Sequence, residues 1–333
     1  MKVLRHNNRI VNSGQGSPIL TYTKPVEIEA FTTVWDTRNL NGTGESPTNT
    51  VLDLSLSDDF ASYGGHRYNF TVYWGDGTSS TVTSGDDPNR IHTYSEPGVK
   101  EIKITGKFGG FNFYDYPHTG PMLLEIKKWN SVELDAMGYM FQGCINLEIT
   151  ATDAPIFENW VGWHGSNAYR MFYGCENIIN SNFIGWDIEP ITSDQWSLRM
   201  FDQPLESPNF SNWNINGNYN NVQSNSDGFN LLFSEMGSNF NPIGLDTWII
   251  PPDASNTIAF ERFFGNIWSN IQIPSSTYDD ILNAWAQNAI NNDGPYNITV
   301  GFGASQYTSA SSTAIDTLTN TYNWTINDGG QQI

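Results

Sequence analysis

Met140-Phe141-Gln142-Gly143-Cys144-Ile145-Asn146-Leu147 is answered 31 residues later by Met171-Phe172-Tyr173-Gly174-Cys175-Glu176-Asn177-Ile178. Weaker copies of the apolar pair follow at Met200-Phe201, Leu232-Phe233 and Phe263-Phe264, so successive pairs lie 31, 29, 32 and 31 residues apart. Ahead of each pair stands an apolar residue followed three positions later by tryptophan: Ile126/Trp129, Phe157/Trp160, Phe183/Trp186, Phe210/Trp213 and Leu245/Trp248. A period of this length predicts stacked units, none of which can bury its apolar face alone. The apolar-x-x-Trp half is expected to be a short strand and the pair a helical or 3₁₀ turn on the return side. Each tryptophan precedes its pair by 11 residues in the first two units, then by 14, 19 and 15. Insertions are therefore expected around Pro190–Trp196, Gly217–Asp227 and Pro251–Asn256, and loops of that kind often form a binding face.

Working outward, the flanking chain divides by composition. Residues 1–25 lack core-forming pattern and carry Gly14, Gly16 and Pro18; they read as an extended N-terminal anchor, docked on another subunit or lying along its own domain. Residues 26–106 alternate as half-buried strands do, in Val26–Ala30, Val51–Leu56, Tyr68–Trp74 and a last strand through Ile102 and Ile104. Asn41-Gly42, Gly64-Gly65 and Asp76-Gly77 separate the runs, which together predict a β-sandwich, with Asp76-Gly77 as a type I′ hairpin turn. Residues 107–121 contain too much glycine and proline for a helix but also Phe108, Phe111, Phe113, Tyr114 and Tyr116, so a packed connection is expected rather than a loose linker. The repeats fill 122–273. From 274 to 333 the pattern predicts an α/β cap: a helix with Tyr278, Ile281, Leu282 and Trp285 on one face, opened by an acidic capping box Ser276-Thr277-Tyr278-Asp279, then a strand at Ile298–Phe302. A second helix carries Ala314, Ile315, Leu318 and Tyr322, and Trp324-Thr325-Ile326 closes the unit. The fold class expected is mainly β with some α.

Two stretches carry family resemblances. Tyr73-Trp74-Gly75-Asp76-Gly77-Thr78, followed by His92-Thr93-Tyr94 and Pro97-Gly98, resembles the immunoglobulin-like PKD domain, with Lys100 standing where that family carries an inward aromatic. Leu124–Trp129 followed by Met140–Leu147 resembles the leucine-rich repeats of BspA-like bacterial surface proteins and mycoplasma-type lipoproteins. The combination is familiar from marine bacterial surface proteins and from virion proteins of their phages. It implies display and adhesion, and it supplies no catalytic residue.

Charge and motif content narrow the function classes. A net charge of −20 with only 15 Lys and Arg argues against binding nucleic acid, whose recognition needs clustered cations. No apolar run approaches the roughly 20 residues of a membrane-spanning helix, and no apolar stretch follows the first residues as a secretory signal would. The five histidines show no ligand spacing, and no nucleophile elbow or P-loop is present, so no catalytic residue and no cofactor is expected. Calcium is the one metal considered: Asp86-Asp87-Pro88-Asn89 with Asp76 offers loop oxygens, or else forms a plain polar turn. Cys144 and Cys175 occupy equivalent places on adjacent units and are either bridged or packed as a thiol pair. Trp163 and His164, outside the repeat phrase, and Tyr219, in an insertion, are the candidate binding residues.

The expectation is a non-enzymatic phage virion display protein presenting its repeats to a host-surface glycan or protein. Its anchor would contact other virion proteins, and assembly would be a symmetric homo-oligomer without membrane insertion. A bacterial cell-surface adhesin is the alternative.

Overall fold

The computed structural model describes residues 28–40, 44–45, 48–56, 68–114, 117–130, 132–134, 139–157, 170–188, 200–201, 205–215, 229, 232–233, 236, 239–254, 260–264 and 271–333. The strands in chain order are β1 (Phe31–Asp36), β2 (Asn39–Leu40), β3 (Gly44–Glu45), β4 (Val51–Asp53), β5 (Tyr68–Tyr73), β6 (Ser79–Val82) and β7 (Ile91–Thr93). They continue with β8 (Val99–Phe108), β9 (Leu123–Lys128), β10 (Glu133–Leu134), β11 (Glu148–Ile149), β12 (Ile156–Phe157), β13 (Thr299–Gly301) and β14 (Thr325–Asn327). The helices are α1 (Ser275–Asn292) and α2 (Ser312–Asp316). The chain is mainly β, built of open sheets. The N-terminal anchor lies outside the described residues.

The organising element is a six-stranded sheet in the order β11-β9-β1-β8-β5-β6. Its right-hand members come from the N-terminal third and its left-hand members from the first repeats. β1 is the seam: it pairs antiparallel with β8 on one side, Phe31 opposite Ile104, and antiparallel with β9 on the other, Thr33 opposite Ile126. The β9–β11 pairing is parallel, as expected between successive coils of a stack. A strand flanked on both sides should be buried, and every residue of β1 except Val34 is. Polar residues survive there because they are satisfied locally: Thr32 Oγ1 donates to Ala30 O and Trp35 Nε1 donates to Thr33 Oγ1.

Aromatic rings seal the same seam. Phe31 stacks on Trp129 at 5.5 Å, and Phe111, fully buried, meets Trp35 on one side and Phe141 on the other. Of the aromatics in the connection, Phe108, Phe111 and Phe113 are buried while Tyr114 points outward, 60% exposed. A single hydrophobic cluster consequently runs from Phe31 to Trp324.

Beyond the seam the coils stack in register. Phe141 stacks on Phe172 at 5.2 Å and 3°, Phe172 on Phe201 at 5.6 Å and 6°, and Phe201 on Phe233 at 6.4 Å and 10°. A second column of rings runs Trp186–Trp213–Trp248, each pair near parallel at 6.0 and 5.4 Å. Backbone bonds follow the columns: Phe141 N donates to Met171 O, Phe172 N to Met200 O, and Phe233 N to Phe263 O. The cap continues this pattern, since Phe264 N donates to Gly301 O and Phe302 packs edge-on to Phe264 at 5.4 Å. The C-terminal unit thus adds one more coil and covers it with α1, whose Tyr278, Ile281, Leu282 and Trp285 are all buried.

Several local expectations are corrected. Val26 and Glu27 lie outside the described residues, among which the first strand begins at Phe31; Ile28 is exposed and Glu29 pairs with Lys128. Leu54 and Leu56 are buried, but β4 ends at Asp53, whose Oδ1 accepts from Ser55 N and turns the chain. At the tight turn Gly75 and Gly77 carry the positive φ (79° and 89°) and Asp76 does not, so it is not type I′. Of the apolar-x-x-Trp phrases, only the first two have their apolar residue in a strand, Ile126 in β9 and Phe157 in β12, and Trp160 lies outside the described residues. Those at Phe183 and Phe210 lie among isolated bridges, Asn182 to Asn209 and Asp187 to Asn214, and Leu245–Thr247 is a 3₁₀ turn. That last turn follows Gly244 at φ 88°, and Thr247 Oγ1 returns a hydrogen bond to Gly244 O. The capping box is not formed either. α1 starts two residues earlier, at Ser275 with Pro274 as N-cap, and Asp279 is buried as acceptor for Thr308 N and Thr308 Oγ1 and for the Ser311 hydroxyl.

Candidate functional site

Trp163, His164 and Tyr219 lie outside the described residues, as do the insertions at Pro190–Trp196 and Gly217–Asp227 and the end of the one at Pro251–Asn256. The sites that the structure does describe are built on the turns.

The Trp74–Thr78 turn is held from its centre. Asp76 Oδ1 accepts from Thr78 N at 2.9 Å and Thr78 Oγ1 at 2.6 Å, while Asp76 Oδ2 lies 3.0 Å from His92 Nε2. His92 stacks flat on Trp74 at 4.8 Å and meets the edge of Tyr94 at 4.5 Å; Tyr94 Oη donates to Trp74 O. Partial burial pushes the Asp76 carboxyl up, yet the hydrogen bonds from Thr78 and His92 outweigh it and hold the group at about 2. Burial, aided by the Asp76 charge, pushes the Tyr94 phenol well above its usual range. Lys100 sets its ammonium 4.6 Å from the centre of the Tyr94 ring, a cation–π contact at the position where an inward aromatic was the comparison. Every group in this cluster is engaged in bracing the turn.

The candidate calcium loop is occupied in the same way. Asp87 accepts from Asn89 N, Thr83 N and Thr83 Oγ1, and Asp86 Oδ1 accepts from Ser84 Oγ. Among the described residues, three or more His, Cys, Asp or Glu do not come together as a cation site.

Cys144 and Cys175 are both free and buried. Cys175 Sγ donates to Phe141 O at 2.9 Å, and burial together with the neighbouring Cys175 thiol raises the Cys144 thiol well above its ordinary value. They pack as thiols between the first two coils.

Clefts are open at two places among the described residues. One of about 360 Å³ lies beside the seam, lined by Glu29, Phe31, Gly106, Lys107, Asn130 and Glu133. The other, about 590 Å³, lies where the last coils meet the start of α1, lined by Ser207, Asn239, Asn241, Gln272 and Ser275. Their lining is polar.

A third feature is a patch of rings on the turns of the first two coils. Tyr114 and Tyr139 meet at 5.2 Å between centroids, and the Arg170 guanidinium lies 4.9 Å from the centroid of Tyr173. Tyr139 and Arg170 hold the same place in the phrase, directly before the methionine, and both adopt positive φ (63° and 51°). Tyr173 occupies the place that Gln142 fills in the coil before. These residues were not among the expected binding positions. The variable position inside Met-Phe-x-Gly-Cys follows a buried phenylalanine and precedes a glycine; Tyr173 is exposed there, while Gln142 in the coil before is half-buried with its Oε1 covered.

Comparisons with protein-family models, with curated proteins and with solved structures return no match. Among the described residues, no helix is long and apolar enough to cross a membrane.

Proposed function

We propose that the chain is a non-enzymatic virion display protein, in which a PKD-like sandwich carries a capped leucine-rich-repeat stack outward for attachment to a host surface. The observation that carries the reading is the sheet shared between the two parts. A spacer that must present a binding face at a fixed angle gains from strand pairing across the joint, because backbone hydrogen bonds resist bending where a linker would not. The resemblance of the two parts to modules combined in phage virion and marine bacterial surface proteins supplies the setting. In this reading residues 1–25 contact other virion proteins, several copies assemble symmetrically, and the surface meets host glycan or protein.

The test is mass spectrometry of purified particles with antibody labelling under the electron microscope. The reading expects the chain in particles at fixed stoichiometry, exposed to antibody. Its absence from particles would overturn the virion setting, and recovery from the outer surface of intact cells would favour an adhesin of the bacterial surface instead.

A further inference from the structure

We infer that the ring patch formed by Tyr114, Tyr139, Arg170 and Tyr173 is a binding platform for a neutral, pyranose-containing saccharide. The inference rests on the attachment reading and assigns it a site. Tyr114 is 60% exposed and Tyr173 39%, a cost in apolar area that packing does not recover. Each ring is held by a neighbour, Tyr114 by Tyr139 and Tyr173 by Arg170, so little side-chain freedom remains to be lost on binding.

The space beside the rings is kept clear by glycines. Gly143 and Gly174 stack one above the other, a Cβ on Gly174 falling 3.7 Å from the Gly143 backbone, and a Cβ on Gly143 would meet nothing within 4 Å. Backbone of the two turns is thus left uncovered next to Tyr173.

The chemistry of the patch selects the occupant. Its side chains are amphipathic, each joining a flat apolar face to a hydroxyl or a set of N–H donors. Sugar rings present the complement, an apolar C–H face edged by hydroxyls. A protein partner would need about 800 Å² of this surface. Among the described residues of the connection and the two turns, 107–121, 139–147 and 170–178, Tyr114 and Tyr173 are the only exposed large apolar residues. A polyanionic glycan would be repelled by a chain of net charge −20; a neutral one would not.

The experiment uses the full chain on an array of neutral and uronic-acid oligosaccharides, followed by calorimetric titration of the strongest neutral hit. Binding to a neutral saccharide is expected, weakened at least tenfold in Tyr114→Ala and in Tyr173→Ala, largely retained in Tyr173→Phe, and unchanged in Tyr296→Ala, which removes an exposed ring elsewhere. Thermal melts of the variants separate lost binding from lost folding. Failure of the wild-type chain to bind any neutral saccharide, binding confined to uronic acids, or binding indifferent to Tyr114→Ala and Tyr173→Ala would each overturn the assignment. Presence of the chain in particles alongside such a result would leave the display reading standing while removing this site.

Discussion

Asp76 shows how a single carboxylate organises a turn. Its pKa, held at about 2 against an ordinary 3.8, means that folding favours the ionised form. That contribution is complete above about pH 4 and is lost as the pH falls through about 2. The difference in melting temperature between wild type and Asp76→Asn should therefore be largest near neutrality and shrink between pH 4 and 2; a difference independent of pH would refute the role. Gly244 acts through space instead. At φ 88° a Cβ there would lie 2.1 Å from Ser211 Oγ and 2.4 Å from its Cα, so the backbone of one coil passes directly over its neighbour. Gly244→Ala is expected to cost about 2 kcal/mol or more in denaturant unfolding. Neither residue announces this in the sequence. Asp76-Gly77 has the composition of a hairpin signal, but the two glycines on either side of Asp76 take the unusual backbone and leave the carboxylate to hydrogen-bond across the turn.

At the scale of elements, the ring columns are the feature that repeats impose. Successive tryptophans reach back one coil: Trp213 Nε1 donates to Phe183 O, Trp248 Nε1 to Phe210 O, and Trp285 of α1 to Leu245 O. Trp186 Nε1, equally buried, finds no acceptor among the described residues. Replacing each by phenylalanine removes the same volume, so the comparison isolates the hydrogen bond. Trp213→Phe should destabilise the chain more than Trp186→Phe, by about 1 kcal/mol, as read from urea midpoints at equal slope; equal losses would show that the bond contributes nothing. The columns were legible from the spacing of Phe and Trp, because a period that returns an aromatic to one place must stack it. Strand or turn at each coil was not legible. Two-residue strands and single bridges differ by a hydrogen bond or two, and the choice depends on local devices such as Gly244 and Thr247 rather than on hydrophobic pattern.

For the whole molecule the decisive feature is β1, a strand from the N-terminal third that serves as a neighbour to the first coil. The sequence predicts an aromatic-rich packed connection at 107–121, of which Phe108, Phe111 and Phe113 are buried, but it puts the first strand at Val26–Ala30, whereas Phe31–Asp36 lies inside the six-stranded sheet. The alternation at Val26–Glu29 is the half-buried pattern, whereas β1 is buried on both faces and reads as a plain run, Phe-Thr-Thr-Val-Trp-Asp. The sequence points to Trp163 and His164 outside the repeat phrase and to Tyr219 in an insertion, while of the exposed rings that the structure describes Tyr173 sits on a regular turn and Tyr114 in the connection. Strand pairing through β1 predicts that the two parts open as one cooperative body, and native-state hydrogen exchange followed by mass spectrometry tests this most directly. Backbone amides of β1 and β9 should be as protected as those of β5 and β8 and should open with them in one step. Exchange of β9 in a separate, faster step while β5 and β8 stay protected would contradict it.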